Sequence, residues 1–371
     1  MSDTKKKIII SVTNDLVADN RVHKVANSLM KFGFDVLLVG RKLQGSLPVN
    51  RDYTTKRFIL LFKKGAMFYA CHNIRLFFFL IFRKADVFLA NDLDTLPANY
   101  YASKFRNKKL VYDSHEYYTE VPELVNRPKV KLIWEKIEKQ ILPKVNYSYT
   151  VCESIADIYN KKYGINMQVV RNIPVCNIEY EDNFPTLLKE LKNKKIILYQ
   201  GAVNIGRGIE QVIRAMQFLE NAVFVIIGDG DIKVEMERLV EILKLKDKVL
   251  FAGKIPFNEL NSYTKNADIG ISLEENIGLN YYYALPNKLF DYIKANVPVL
   301  VSKLPEIERI VNKYDIGEFI ENHTAEHIAE KINIMLKSPE KISFWKENLK
   351  KASADLCWEN EEQVLKSIFT E

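Results

Sequence analysis

The 371-residue sequence has only four cysteines, Cys71, Cys152, Cys176 and Cys357. They form no Cys-x-x-Cys pair and have no histidine at metal-ligand spacing, which removes zinc-finger and dithiol-redox classes and predicts ordinary reduced thiols. Glycine and proline are scarce, 14 and 12 residues, so the chain is neither fibrous nor a flexible linker. Long apolar runs are missing too. The longest, LFFFLIF at 76–82, lies between Arg75 and Arg83, far short of the ~20 residues that span a bilayer. The start, MSDTKKKIIISV, has too few apolar residues for a signal-peptide core and reads as a first buried strand. A cytoplasmic location is the expectation. The loop after that strand, TNDLVADNRVHKV, has no glycine, so the Gly-x-Gly-x-x-Gly fingerprint of a dinucleotide enzyme is absent.

What is present describes a large folded protein. Hydrophobic residues make up 47% and charged residues 27% of the chain, and the length predicts two domains of roughly 150–200 residues each. Charge is uneven: residues 1–175 hold 29 Lys+Arg against 16 Asp+Glu, a net +13, which leaves −6 for 176–371. A basic half suits nucleic acid, an anionic membrane surface or an acidic substrate. No nucleic-acid motif accompanies the charge, so nucleic acid is not expected as a partner.

Short runs rich in Val, Ile and Tyr alternate with longer helical patterns. Strands are predicted near 7–12, 34–40, 57–62, 86–90, 109–113, 147–151 and 168–170, then near 195–200, 222–227, 248–252, 268–273, 297–302 and 317–320. Helices separate most of them, among them 21–32, 66–83, 129–141, 207–218, 287–295 and 305–312. Continuous apolar strands with helical crossovers predict α/β architecture: two Rossmann-like, doubly wound parallel sheets. The polar stretch 172–194 is the expected boundary between an N-terminal domain, 1–172, and a C-terminal one, 173–357. Ligands in such sheets bind beyond the C-terminal strand ends, here in a cleft that two facing domains would form.

The loops after the strands carry the candidate chemistry. KIILYQ is followed by GAVNIGRGIEQVIRAM, in which Gly201, Asn204 and Arg207 precede a helix and suit a diphosphate; a tight turn with a solvated Arg reads the same. GDGD at 228–231, with Gly228, is either a second phosphate turn or an ordinary loop with an Asp cap. In LPNKLFDYIKANVPVLV, Asn287 is the expected N-cap and Lys288 the first helical residue, with Asp291 at the end of the first turn. Asp291 either complements the helix dipole or accepts hydrogen bonds from sugar hydroxyls. In YDSHEYYTEVPE, Asp113, His115 and Glu116 form a candidate polar or proton-transfer group. Asp92 and Asp94 in NDLDTLP imitate a metal-binding pair but lack further ligands, and are read as loop and cap chemistry. No metal site is predicted.

Together, YDSHE, VVRNIP, YQGAVNIGRGIE, GDGD and PNKLFDYIKANVPVLVS resemble the family 4 (group 1) retaining glycosyltransferases, over most of the chain and most strongly across 195–320. The resemblance implies a GT-B fold, with the donor held mainly by the second domain and a last helix, about 358–371, packing back on the first. It implies transfer of a sugar from a UDP- or GDP-sugar to a saccharide or lipid-linked saccharide, with retained anomeric configuration, no obligatory metal and no cofactor, in cell-surface glycan biosynthesis. Arg207 takes the place of the family's diphosphate-binding Lys, Ala202 that of its Arg, Asp291 that of the ribose-binding Glu and Tyr283 that of the earlier Glu. His115 matches a histidine that in some relatives lies near the transferred sugar. This makes His115, Arg207 and Lys288 the catalytic candidates, and Gly201, Asn204, Arg207, Gly228, Asn287, Lys288 and Asp291 the donor-binding ones.

A UDP-sugar epimerase of the same fold is the first alternative; five histidines in all leave few acid/base groups for it. A non-catalytic nucleotide-sugar-binding module is the second, raised by Ala202 and Tyr283. The basic first half and the segment NIRLFFFLIFRK also suggest an anionic membrane surface as partner, although residues 74–83 read somewhat better as a buried helix.

Overall fold

The computed structural model describes residues 5–17, 19–176, 184–191 and 193–370, so 177–183 and 192 of the expected boundary stretch lie outside the described residues. The chain divides into two compact units: one runs to Asn172 and takes in the chain from Glu361 onward, the other is Ile173–Asn360.

The first unit holds a seven-stranded sheet: β1 (Lys7–Ser11), β2 (Asp35–Arg41), β3 (Thr54–Phe58), β4 (Val87–Asn91), β5 (Lys109–Ser114), β6 (Tyr147–Thr150) and β7 (Gln168–Val169), in the order β3-β2-β1-β4-β5-β6-β7. The second holds six: β8 (Lys195–Gln200), β9 (Ala222–Ile227), β10 (Val249–Gly253), β11 (Ile269–Ser272), β12 (Val299–Ser302) and β13 (Gly317–Ile320), in the order β10-β9-β8-β11-β12-β13. Every pairing is parallel. In each sheet the order reverses beside its first strand, between β1 and β4 and between β8 and β11. Doubly wound sheets open a crevice at that point.

The strand pattern explains the two-sided burial. In β8, Ile196 and Leu198 face one core layer and Ile197 and Tyr199 the other, as the period-2 alternation of a strand requires. The first layer is shared with helices Asn287–Lys294, Pro305–Tyr314 and Pro339–Asp355; the second with helices Ile209–Ala215 and Ala325–Leu336.

Four details differ from the sequence reading. β3 is Thr54–Phe58 rather than 57–62: the apolar residues after Phe58 leave the sheet, with Ile59 71% and Leu61 87% exposed. Helix Gly65–Phe82 is not enclosed, since Phe68, His72, Leu76 and Leu80 are buried while Ile74, Phe78 and Phe82 are exposed. Helix Asn287–Lys294 begins at Asn287 itself; Pro286 takes the cap position, with no side-chain cap bond. Asn287 is therefore not an N-cap, Lys288 is the second helical residue, and Asp291 falls in the second turn. Finally, Cys176 and Cys357 form a disulfide across 181 residues of sequence instead of standing as free thiols. The backbone N–H of Trp358 donates to Pro174 O, and that of Cys176 to Glu359 Oε2, which aligns the two segments. No local spacing could announce a pair that far apart.

Helix Trp358–Thr370 starts in the second unit and continues into the first. There Glu361 accepts from the Arg171 backbone N–H, Glu362 takes Lys31 Nζ at 2.9 Å, and Phe369 meets Phe34 edge-on.

Candidate functional site

In the second unit the order reversal brings three chain segments together. β8 ends at Gln200 and leads through Gly201–Gly208 into helix Ile209–Ala215. β11 delivers Glu274 two residues past its end, and helix Asn287–Lys294 supplies Lys288. Glu274 is wholly buried. Its Oε1 lies 2.8 Å from Lys288 Nζ and 3.7 Å from Arg207 Nη1, while Oε2 accepts from Ser272 Oγ at 2.7 Å. Each cation also covers a tyrosine ring: Lys288 Nζ is 4.0 Å from the Tyr199 centroid and the Arg207 guanidinium 4.7 Å from that of Tyr281. Burial alone would raise the Glu274 pKa, but Lys288 and Arg207 outweigh it and hold it below the usual value. One carboxylate thus organises two cations, and the cluster keeps one excess positive charge.

The two cations are not equivalent. The Lys288 side chain is 7% exposed, with Glu274 and the Tyr199 ring against its ammonium, whereas Arg207 is 26% exposed. Arg207 is the cation with capacity to meet an anion from solvent. Gly201 adjoins the same cluster, since a Cβ there would lie 3.6 Å from Lys288 Cε. Asp291 is half-buried at the end of β8, where Gln200 Nε2 donates to its Oδ2 at 2.9 Å and Thr264 Oγ1 donates to Gln200 Oε1 at 2.7 Å.

Gly228 and Asn204 are explained by loop packing. Gly228 has φ 141°, and a Cβ on it would fall 1.8 Å from Gly201 O; only glycine permits the two loops to approach this closely. Asn204 Oδ1 accepts from the Asp231 N–H at 3.1 Å, binding its turn to the GDGD loop. Asn287 is exposed at the start of its helix. Glu274 was missed in the sequence. The signal was a carboxylate just past an apolar parallel strand, in DIGISLEE, where a buried charge needs paired cations.

The first unit builds a different cluster at its own reversal. Thr13 Oγ1, beyond β1, donates to Asp94 Oδ2 at 2.6 Å, and Asn91 Nδ2, at the end of β4, donates to Ser11 O at 3.1 Å. His115 follows β5. Its Nδ1 lies 3.3 Å from Asp92 Oδ2, and its Nε2 lies 3.2 Å from Asp113 Oδ2 and 3.1 Å from Asn91 Oδ1. Arg21 grips Asp113 with Nη2 at 2.7 Å and Nε at 3.2 Å, and Nη1 donates to Val170 O. The pair is buried.

With an acceptor against each ring nitrogen, His115 is held as the imidazolium. Burial disfavours that charge, but Asp92 and Asp113 overcome it and raise the pKa to about 9. For Asp113, burial is overridden by Arg21 and His115, which bring it down to about 2. Asp94 is pushed up to about 7 by burial and by Asp92. At neutral pH His115 is therefore a charge and a hydrogen-bond donor, with no lone pair to accept a proton. Asp92 and Asp94 do not cap the following helix, Leu96–Arg106, whose start has no side-chain cap bond. They serve His115 and Thr13 instead.

The fold is GT-B: the two parallel-sheet α/β units are what the alternating pattern predicted, and GT-B is what the family resemblance implied. Over 99% of this chain and 98% of the other, the structure is similar to sucrose-phosphate synthase from Thermosynechococcus elongatus, with TM-score 0.81 at 17% identity. It is also similar to Anabaena HepE in complex with UDP-glucose, with TM-score 0.77, 13% identity, and 98% and 99% of the two chains covered. In sequence, residues 182–352 match the family model for glycosyl transferases group 1. An uncharacterized glycosyltransferase of Methanocaldococcus jannaschii is 31% identical over 38% of this chain and 36% of its own length. The O-antigen chain mannosyltransferase RfbU of Salmonella typhimurium is 24% identical over 56% of this chain and 60% of its own. The matches thus span from about a third to three fifths of these curated relatives.

Proposed function

We propose that this chain is a glycosyltransferase that moves a sugar from a nucleoside-diphosphate donor, UDP- or GDP-linked, to a saccharide or lipid-linked saccharide on a cell-surface glycan, with retention of anomeric configuration. The observation that carries the reading is the Glu274–Lys288–Arg207 cluster at the order reversal of the second sheet. The group 1 match covers that unit almost entirely, and a fold neighbour holds UDP-glucose.

Glycosyl transfer passes through an oxocarbenium-like state while negative charge gathers on the departing diphosphate. Fixed cations aimed at that charge stabilise it as it forms, with no reorganisation at the moment of reaction. Arg207 is the contact for the diphosphate, Lys288 adds field from beneath it, and Glu274 holds both in place. These cations supply the charge that a metal would otherwise bring, so neither metal nor cofactor is required. Asp291, oriented by Gln200, accepts from the ribose hydroxyls. His115 contributes a fixed positive charge rather than acting as a base, since both of its ring N–H groups are held by acceptors of the cluster.

A thermal-shift screen of nucleotides and nucleotide sugars tests the donor reading, because a ligand bound only by the folded state raises Tm. Stabilisation by UDP or GDP and their sugars is expected; a flat response across all of them removes it. Incubation with a stabilising donor and no acceptor should give slow hydrolysis at most, and appearance of an epimeric sugar would assign the chain to isomerisation.

A further inference from the structure

Helix Gly65–Phe82 is 18 residues long and apolar enough by length and composition to cross a membrane, yet only 22% of it is buried. Its inner face, Phe68, His72, Leu76 and Leu80, packs into the first unit. At 100° per residue, Met67, Ile74, Phe78 and Phe82 fall within about 80° of one another on the outer side. They are 55%, 59%, 53% and 81% exposed. A surface helix normally presents polar residues there, so an outer face as apolar as the inner one signals a partner. The patch continues into the preceding loop through Ile59, whose carbonyl accepts from Arg75 Nη1 at 2.6 Å.

Charge identifies the partner. Residues 54–85 contain seven Lys+Arg and no Asp or Glu. Lys63 and Lys64 precede the helix, Arg83 and Lys84 follow it, and Arg75 flanks the stripe; all five are exposed. Arg75 and Arg83 lay their guanidinium groups over the rings of Phe58 and Phe79, 4.8 and 5.2 Å from the centroids, as long cationic side chains do when an apolar body meets a polar boundary. An apolar stripe bracketed by cations matches the acyl–headgroup boundary of an anionic bilayer. A second copy of the chain on this face would set like charges against each other across a self-complementary interface.

We propose that the outer face of helix Gly65–Phe82 docks on an anionic membrane surface, with the helix lying in the plane of the interface. It lies along the membrane rather than across it, because its inner face is committed to the core of the unit. The inference is independent of the glycosyltransferase reading, since it uses none of the residues assigned to the donor.

Flotation with phosphatidylcholine vesicles, with and without about a third phosphatidylglycerol, tests it. The full chain should float with the anionic vesicles and stay behind with the neutral ones, and added salt should weaken the association. Ile74→Asp with Phe78→Asp should lower the bound fraction at least about tenfold while leaving the melting curve and nucleotide binding in place. Phe82→Ser, at the most exposed position of the stripe, serves if that double variant is unstable and should reduce binding in the same direction. Absence of flotation by the wild-type chain, or flotation unaffected by these variants, overturns the proposal. So does a dimer, seen by light scattering, that the same variants dissociate while no vesicle binding is found; the face would then belong to a second copy.

Discussion

The two units share a sheet topology and invert each other's electrostatics. The basic first half, net +13, gathers Asp92, Asp94 and Asp113 around two cations at its order reversal; the acidic second half, net −6, gathers two cations around Glu274 alone. The order reversal decides where the crevice falls, and the few side chains at the strand ends decide its chemistry. Net charge is spread over solvated faces and reports neither. In the second unit the local excess is positive, which suits a diphosphate. In the first, carboxylates hold both N–H groups of a fixed imidazolium.

Breaking the ion clusters shows how far that inversion holds. The largest effect is expected at Asp113: Asp113→Ala strands the buried Arg21 guanidinium, and removing one partner of a buried pair costs about 3–5 kcal/mol. Urea unfolding measures it, and a loss below about 1 kcal/mol would mean that the cluster is solvated rather than buried. In the second unit Glu274→Gln keeps an amide oxygen for Lys288 and leaves the partly exposed Arg207 to water, so a smaller cost of about 2–3 kcal/mol is expected by the same measurement. Arg207→Ala should barely move stability but weaken UDP binding at least tenfold by calorimetry, about 1.4 kcal/mol. If Arg207→Ala leaves UDP affinity unchanged while Lys288→Ala abolishes it, the two cations exchange the roles given to them here.

Much of this architecture was legible in the sequence because parallel strands buried on both faces are written as continuous apolar runs. VLLVG, VFLAN and AVFVII could be little else. The same rule misled at Ile59–Phe62, where apolar residues face outward. Arg207, Lys288 and Asp291 stand out as candidates in the sequence because glycines and a proline mark the turns around them. Glu274 does not, because its meaning depends on two cations 67 residues before and 14 residues after it in the chain. The Cys176–Cys357 bridge and the Arg21–Asp113 pair are long-range in the same sense. Local patterns carry the elements, whereas the pairing of buried charges is a property of the assembled sheet.

The smallest effect distinguishes the two clusters by pH. His115 titrates near 6.5 in an unfolded chain but near 9 in place. Its contribution is therefore fully present below about pH 6.5 and is lost as the pH rises through about 9. Asp94, raised to about 7, also makes the folded state hold the extra proton and acts in the same direction. Asp113, lowered to about 2, contributes above about pH 4 and loses its share only as the pH falls through about 2. Glu274 is shifted in that same direction, so its contribution is indifferent to mild alkali. Raising the pH from 7 to 8 should thus cost the wild-type protein about 1 kcal/mol, nearly all of it from the first unit. His115→Gln should flatten that slope in denaturant titrations, whereas Glu274→Gln should leave it unchanged. Asp94 should leave a small residual slope; a slope that keeps its full size in His115→Gln would place the titrating charge elsewhere and remove the fixed imidazolium from the account of the first cluster.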